Sequence, residues 1–381
     1  TGTINMSGNK AIGMFAEKGY LKNEGTINVT GAGPGNVGIA GLATGTAVAG
    51  YGTDAGATGK KVEIINTGSV NVTGDKAIAI FADNNKAGTV TIENSHQLTV
   101  GNSGTGIALK NSKGLGDEKG GIITVSGTGT SDIVAGTDGT GIYGEDVTVN
   151  LASDYGVETQ DKGVGIYTKG VSEVKGAGKT FEYKYSGSAT GNGTAVLFEG
   201  VNPVNEVNIN LLNSTATTGG ITGIFAKGTG TLTNTGNITV GETTIGSDGY
   251  SNPDSNKNSI GIFGDNSNIN FKGNMLVDKP LSVGIYGANG GSITVKSGST
   301  ITVKNGATGI MTGSKVENIT LESGSTLNVD GKVDTNVYTN ATKSNVSFGI
   351  AAYSGLIDNQ GTINVTNGAT GIYLAGTASL K

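Results

Sequence analysis

The sequence predicts an all-β fold, a right-handed parallel β-helix of about 13 coils, each of about 22 to 25 residues with inserted loops. Three observations predict it: glycine contributes 69 of the 381 residues, one short phrase returns along the whole chain, and apolar residues alternate with polar ones in short runs. Glycine at this level disfavours a helical domain, whereas alternation with a period of two residues is typical of strands.

The composition narrows the possible chemistry. Hydrophobic residues make up 35% of the chain and charged residues 14%, and the formal net charge is only -5. This balance fits a folded chain and offers no basic surface for nucleic acid or an anionic membrane. Cysteine is absent, which excludes disulfides, thiolate nucleophiles and zinc–thiolate sites. Arginine is absent as well, which excludes sites where a guanidinium group binds a carboxylate or phosphate through two hydrogen bonds. We expect no cofactor, no metal site and no nucleic-acid partner.

The first part of the repeated phrase is a three-residue word, glycine followed by an aliphatic and then an aromatic residue. Complete copies are Gly13-Met14-Phe15, Gly141-Ile142-Tyr143, Gly165-Ile166-Tyr167, Gly223-Ile224-Phe225, Gly261-Ile262-Phe263, Gly284-Ile285-Tyr286 and Gly371-Ile372-Tyr373. Looser copies begin at Gly38, Ala79, Gly106, Val196, Gly309 and Gly349, which makes 13 copies. The second residue is aliphatic in every copy, so we predict that it points into the coil. The third is placed on the outer face, and the alternative is a wide corner that holds aromatic rings inside.

The second part of the phrase has the form aliphatic-x-Asn-x-Gly-x-aliphatic-x-Val. Nearly complete copies occupy residues 21–29, 64–72, 232–240 and 357–365. The alternation after the glycine predicts a strand with one buried face, and Asn-x-Gly is interpreted as a turn whose residues tolerate a positive φ.

A unit of this length cannot bury its apolar residues alone, so neighbouring units must stack. Coiling the chain once per unit gives parallel strands, with the right-handed connection that parallel crossovers take. The main alternative is an antiparallel β-sandwich, which does not require one phrase to return 13 times. Longer repeats are interpreted as the unit plus a polar loop, at residues 52–60, 111–120, 127–138, 241–258 and 329–345. No change of composition marks a boundary, so residues 1–381 are predicted to form one solenoid domain.

The alternation of the Gly-Ile-aromatic word with phrases such as Leu-Lys-Asn-Glu-Gly-Thr-Ile-Asn-Val at residues 21–29 resembles the passenger region of autotransporter outer-membrane adhesins, and the Lys-only, Asn-rich usage is most similar to those of fusobacteria. The resemblance covers essentially the whole chain. It implies secretion by a C-terminal β-barrel that is not part of this sequence, display at the bacterial cell surface, and adhesion to a host cell-surface receptor, glycan or protein, or to another bacterium. It transfers no binding residues. The first eight residues predict no signal peptide.

The enzymatic alternative is a β-helix polysaccharide lyase or hydrolase. Hydrolysis needs convergent carboxylates, and a lyase of this kind needs an arginine base or clustered acids that hold calcium. The acids that follow the repeated word, Glu145 with Asp146 and then Asp265, are several coils apart. The single histidine, His96, has no evident partner, and the oxygen-rich segment 248–256 lacks a calcium-loop spacing, so both are interpreted as surface polar groups. We therefore predict that the chain is not an enzyme.

An aromatic stripe on the outer face is the predicted ligand-binding site. It is formed by Tyr143, Tyr167, Phe198, Phe225, Phe263 and Tyr286, and Tyr250 in the longest loop is added as a second contact. Exposed aromatic faces stack on sugar rings and are enriched where proteins recognise one another. The alternative is that the stripe only packs against itself and shields the coils.

Overall fold

A computed structural model describes residues 2–17, 19–43, 60–84, 88–112, 120–187, 192–213, 220–228, 230–240, 259–331 and 346–381. Within these ranges every regular element is a β-strand. None of the described residues forms a helix that could cross a membrane. The chain divides into two compact units, Thr1–Lys184 and Tyr185–Lys381. Each unit is a stack of coils, and the prediction of one domain stays a prediction.

Three short strands make one coil in each unit. The strands of the first unit are β1 (Thr3–Met6), β2 (Ile12–Glu17), β3 (Gly19–Asn23), β4 (Thr26–Val29), β5 (Val37–Ala43), β6 (Lys60–Asn66), β7 (Val70–Val72), β8 (Ile78–Asn84), β9 (Gly88–Asn94), β10 (Leu98–Val100), β11 (Thr105–Lys110), β12 (Gly121–Val125), β13 (Ile133–Ala135), β14 (Thr140–Glu145), β15 (Val147–Leu151), β16 (Tyr155–Thr159), β17 (Val164–Lys169) and β18 (Glu173–Lys175). The next strand is β19 (Thr180–Tyr185). The second unit continues with β20 (Gly193–Glu199), β21 (Val204–Asn205), β22 (Asn208–Asn213), β23 (Ile221–Lys227), β24 (Thr231–Asn234), β25 (Ile238–Val240), β26 (Ile260–Asp265), β27 (Asn268–Phe271), β28 (Asn274–Val277), β29 (Val283–Ala288), β30 (Ile293–Val295), β31 (Thr300–Val303), β32 (Thr308–Thr312), β33 (Asn318–Leu321), β34 (Thr326–Asp330), β35 (Phe348–Ala352), β36 (Leu356–Asn359), β37 (Thr362–Thr366), β38 (Thr370–Leu374) and β39 (Ser379–Leu380).

Every third strand belongs to the same parallel sheet. Sheet A begins with β1, sheet B with β2 and sheet C with β3, and the described strands give each sheet 13 members. This order confirms the predicted fold, a right-handed parallel β-helix of about 13 coils, and it excludes the antiparallel sandwich. The repeated word lies in sheet B, and the strand after Asn-x-Gly lies in sheet A.

The glycine of the repeated word is required by the distance between coils. A Cβ added at Gly141 would lie 2.5 Å from the carbonyl oxygen of Gly165, and one at Gly261 would lie 2.6 Å from that of Gly284. Neither glycine has a positive φ. The word therefore begins with glycine because the backbone of the next coil occupies the space that a side chain would need.

The prediction that the glycine of Asn-x-Gly serves a turn with a positive φ is wrong. Gly25, Gly68 and Gly236 do not have a positive φ, and a Cβ at each would overlap the backbone carbonyl of the preceding coil. Positive φ values occur instead at other turn residues, such as Lys76 with 54° and Asp138 with 53°. Close approach, and not backbone freedom, requires these glycines.

The asparagine of Asn-x-Gly points inward. Asn66 is fully buried; its Oδ1 accepts a hydrogen bond from Asn23 Nδ2 at 2.7 Å, and its Nδ2 donates to Asn94 Oδ1 at 2.7 Å. In the second unit Asn205 Nδ2 donates to Asn234 Oδ1 at 2.8 Å. The ladder through Asn66 satisfies amide groups that would otherwise be unpaired in the core. In the second unit Asn205 Oδ1 is buried without a hydrogen-bond partner among the described residues.

Aliphatic residues fill most of the rest of the interior, together with a few fully buried aromatic residues such as Phe181, Tyr183 and Phe271. The second residue of the word is 0% exposed at most positions, as at Ile107, Ile142, Ile262 and Ile310. Met14 and Ile372 lie in the first and last coils and are half-buried. The prediction of an inward second residue is confirmed except in the copy that begins at Val196, which is described with the site below.

One predicted loop contains a strand. The prediction of an inserted loop at residues 127–138 is wrong in part, because Ile133–Ala135 forms strand β13, which pairs with β10 and β16. The turn before it is fixed by Asp132, whose carboxylate accepts hydrogen bonds from the backbone N–H of Thr128 at 2.9 Å and Gly156 at 2.8 Å. A three-residue strand is too short for its alternation to stand out in the sequence. The other four predicted loops lie mainly outside the described residues.

The burial of one tyrosine makes the stability of the folded chain decrease at alkaline pH. Tyr155 is fully buried, and its hydroxyl oxygen accepts a hydrogen bond from Asn94 Nδ2 at 3.2 Å. Burial raises the pKa of Tyr155 far above its ordinary value. Because the neutral phenol is favoured in the folded state, its contribution is complete below about pH 10, the ordinary tyrosine pKa, and is lost as the pH rises further. We expect the thermal midpoint of unfolding to fall above that pH, and we expect Tyr155→Phe to reduce this fall. Equal pH profiles of the thermal midpoint for the unmodified chain and for Tyr155→Phe would contradict this prediction.

Candidate ligand-binding surface

The outer face of sheet B carries a row of apolar side chains in each unit. We call the set at the third position of the word the aromatic row. In the first unit it contains Phe81, Ala108, Tyr143 and Tyr167, which are register partners in sequence. In the second unit it contains Leu197, Phe225, Phe263, Tyr286 and Met311, again paired in sequence. The large side chains among these residues are half-buried, so their outward edges contact solvent. Phe15 in the first coil and Tyr373 in the last occupy the same position and are exposed.

The rings of the second unit stack face to face. Phe225 and Phe263 have ring centroids 4.7 Å apart and planes inclined by 14°, and the next pair, Phe263 and Tyr286, has values of 5.2 Å and 18°. This spacing follows from the distance between parallel strands. Because the rings cover one another's faces, the row presents mainly ring edges to a ligand.

The pair in the first unit is arranged differently. Tyr143 and Tyr167 meet edge to face, with centroids 5.3 Å apart and planes inclined by 72°. The Tyr143 hydroxyl donates to Glu145 Oε1 at 2.5 Å, and Lys169 Nζ lies 5.3 Å from the centroid of the Tyr167 ring. Both rings are therefore oriented by charged neighbours on the same face.

Phe198 does not belong to this surface. It is 1% exposed and pairs in register with Ala226, whereas Leu197 pairs with Phe225 and occupies the outer position. In this coil the word is Ala195-Val196-Leu197, one residue earlier than predicted, and a shift of one residue moves each side chain to the opposite face. The small side chain of Ala226 leaves room for the inward ring. Tyr250, the other predicted contact, lies outside the described residues.

A row of alternating charges runs beside the aromatic row, two residues further along each strand. We call it the charged row. Its members in the first unit include the register pairs Asp83 with Lys110 and Glu145 with Lys169. In the second unit Glu199, Lys227 and Asp265 are successive partners, and Lys227 Nζ lies 3.4 Å from Glu199 Oε1. Sequence analysis missed this row. Its signal is a charged residue two positions after the end of the word in several copies, as in Gly-Ile-Tyr-Gly-Glu and Gly-Ile-Phe-Ala-Lys.

The acids singled out as catalytic candidates have structural partners. Glu145 Oε2 accepts a hydrogen bond from the Asn111 backbone N–H at 2.9 Å. Asp146 is fully buried and accepts from the Val171 backbone N–H and from Asn111 Nδ2, each at 2.8 Å. Asp265 accepts from Asn289 Nδ2 at 2.8 Å. Within the described charged row, carboxylates alternate with lysines, whereas glycoside hydrolysis needs two carboxylates facing one bond.

His96 and the acids offer no metal centre in the described ranges. His96 is exposed in the turn between β9 and β10, where a shallow depression is also lined by Thr3, Glu24, Thr26 and Ser69. Among the residues that the structure covers, no three His, Asp or Glu side chains are grouped closely enough to hold a metal ion.

Comparison of the chain with family models, curated proteins and solved structures finds no match. The outer face of sheet B carries an apolar row and a charged row side by side in each unit.

Proposed function

We propose that this chain is an adhesive and spacing module of a bacterial surface protein of the autotransporter-adhesin type, displayed outside the cell and attached to a host cell or another bacterium through the outer face of sheet B. The observation that carries the proposal is the aromatic row with the charged row beside it. Side-by-side apolar and charged groups on a preformed sheet match the anchors and polar rims of protein interfaces.

The arrangement of the rings favours a protein receptor over a glycan. A sugar ring binds an aromatic residue by lying on its face. The faces of Phe225, Phe263 and Tyr286 lie against one another, which leaves edges that fit between the side chains of a protein. The charged row carries both negative and positive side chains. A receptor whose charges alternate in the complementary order would bind in one alignment along the row.

The spacing role is supported by the interior. Buried aliphatic side chains of successive coils pack against one another, and the ladder through Asn66 adds buried hydrogen bonds between coils. These side-chain contacts add to the backbone hydrogen bonds of the sheets. An ordered core of this kind holds surface groups in fixed positions, which lowers the entropy cost of binding.

The aromatic row is tested in the first unit by the double variant Tyr143→Ser/Tyr167→Ser. We expect binding to receptor-bearing cells to fall about tenfold or more, as for loss of interface anchors. The matched control is Tyr20→Ser, because Tyr20 is 55% exposed on sheet C and lies outside the row. Binding of the fluorescently labelled chain to host and bacterial cells is compared with thermal unfolding of the same samples.

Two results would contradict the proposal. Unchanged binding per folded molecule, together with lowered stability, would assign the row to packing alone. Release of reducing ends or unsaturated sugars from polysaccharides incubated with the chain would instead indicate an enzyme.

A further inference from the structure

The outer face of sheet B in the first unit carries three columns of side chains across four successive strands, β8, β11, β14 and β17. The first column is Ile78, Thr105, Thr140 and Val164. The second is the aromatic row, Phe81, Ala108, Tyr143 and Tyr167. The third is the charged row, Asp83, Lys110, Glu145 and Lys169. All of these side chains except Ala108 are half-buried or exposed, as expected on an outer face.

Two copies of this face can meet about a twofold axis that runs parallel to the strands, between β11 and β14. Rotation about such an axis reverses the order of the coils but keeps each position along the strands. Each column therefore faces the same column of the second copy. Strand β8 lies opposite the second copy's β17, and β11 lies opposite its β14. The contact is isologous, so one surface must complement itself.

The charged row complements itself in this arrangement. Its order along the coils is negative, positive, negative, positive, and the reversed order places a positive group opposite each negative one. Asp83 faces the second copy's Lys169, and Lys110 faces the second copy's Glu145. Asp83 also accepts a hydrogen bond from the Ser112 hydroxyl at 2.7 Å, and Glu145 accepts one from Tyr143 at 2.5 Å. A carboxylate accepts about four hydrogen bonds, so both retain capacity for a lysine.

The other two columns complement themselves in size and polarity. Ala108 is the smallest member of the aromatic row, and it faces the second copy's Tyr143, which is among the largest. A small residue opposite a large one lets two faces interdigitate. The remaining pairs match in polarity: Phe81 with Tyr167, Thr105 with Thr140, and Ile78 with Val164.

The spacing of the columns favours another stack of parallel strands as the partner. Successive coils are about 4.8 Å apart, and a second copy repeats at the same distance, so all four strands stay in step. The turns of an α-helix repeat at about 5.4 Å and fall out of step over the same length. An amyloid fibril repeats correctly but stacks identical residues, which cannot match charges of alternating sign.

The second unit lacks this self-complementarity. Under the same rotation about an axis between β23 and β26, Glu199 would face Ala288, and Phe225 would face Phe263. Its row of charges ends in alanine, and its large rings meet large rings. The second unit therefore supplies a matched control for the first.

We infer that the first unit of one copy of this chain binds the first unit of a second copy through the outer face of sheet B, with the coil order of the two copies reversed. The inference rests on the proposed function and names a partner for the same face. Reversed coil order is also the arrangement of two chains that extend toward each other from facing cells. By strand spacing and rise, the four strands cover about 400 Å² on each copy, which is at the low end for specific complexes. Many such contacts between two arrays bind together far more tightly than one.

Fluorescent beads coated with the 381-residue chain test the pairing under these conditions. Beads with the unmodified chain are expected to clump. Beads with Lys110→Glu alone, or with Glu145→Lys alone, are expected to clump about tenfold less, because two like-charge contacts replace two attractive ones. Mixing the two variant beads is expected to restore clumps that contain both. In such a pair the new carboxylate meets the new ammonium group, and the unchanged Glu145 of one variant meets the unchanged Lys110 of the other.

The matched control is Lys227→Glu, which makes the same change in the charged row of the second unit and should leave clumping unchanged. Thermal unfolding of each variant, together with the restored mixture, separates lost contacts from lost folding. The inference is overturned if unmodified beads stay dispersed, if either variant clumps fully alone, if the mixture stays dispersed, or if Lys227→Glu disperses the beads. Dispersed beads that still bind receptor-bearing cells would contradict this pairing alone, whereas dispersed beads that bind no cell would contradict the proposed function as well.

Discussion

Gly68→Ala is expected to destabilise the chain by about 3 kcal/mol or more, the upper end of the cost of overpacking. The new Cβ would overlap the carbonyl oxygen of Gly25 in the preceding coil and approach its amide nitrogen to 2.8 Å. Gly25 lies in the turn between β3 and β4, where the Asn23 side chain accepts a hydrogen bond from its N–H and donates one to its carbonyl oxygen. These backbone atoms therefore cannot move aside as a flexible side chain would. The measurement is the free energy of unfolding from denaturant titration by circular dichroism.

Gly8→Ala is the matched control. A Cβ at Gly8 meets nothing within 4 Å, and its φ is not positive, so stability should change by no more than about 0.5 kcal/mol. If Gly68→Ala were as stable as Gly8→Ala, the close stacking of Asn-x-Gly glycines would be refuted.

Asn66→Ala is expected to have a similarly large effect. The substitution removes two buried hydrogen bonds of 2.7 Å and leaves a donor of Asn23 and an acceptor of Asn94 without that partner. An unsatisfied buried group costs about 1 to 3 kcal/mol, and two are created here. The thermal midpoint and the free energy of unfolding should both fall.

Asn28→Ala provides the comparison within the same unit. Asn28 is also the middle member of a three-residue ladder, donating to Asn5 at 2.8 Å and accepting from Asn71 at 3.0 Å, but this ladder lies on the outer face of sheet A. Water can replace both of its hydrogen bonds, so the expected loss is only about 0.5 kcal/mol. Equal losses for Asn66→Ala and Asn28→Ala would show that burial of the inner ladder contributes nothing.

Much of the fold was predictable because stacking coils repeat the same local chemistry. The alternation in Thr26-Ile27-Asn28-Val29 identifies a half-buried strand, and β4 has Ile27 and Val29 buried as expected. What the sequence could not show directly was which residues of one coil lie above those of the next. The close approach of Gly68 to Gly25 and the inward orientation of Asn66 exist only once two coils are stacked.

The same reason explains the partial success at the candidate site. Tyr143 and Tyr167 lie side by side as predicted, because their words are alike and their strands align. The prediction placed Phe198 on the wrong face because Val196, Leu197 and Phe198 are all large and apolar. Composition alone does not decide which of these side chains point into the core. Pairing of Val196 with Ile224 fixes it.

The register of neighbouring coils in sheet B is tested most directly by disulfide formation in the double variant Tyr143→Cys/Tyr167→Cys, in a chain that has no other cysteine. Register partners on neighbouring parallel strands are about 4.8 Å apart at Cα, within the range of about 4.4 to 6.8 Å that a disulfide spans. In Tyr143→Cys/Lys169→Cys the second cysteine lies two residues further along the strand, about 8 Å away by strand spacing and rise, on the same face. Mild oxidation is expected to crosslink the first variant and to leave the second reduced. Equal crosslinking of both, or crosslinking of the second alone, would contradict the register on which the candidate surface depends.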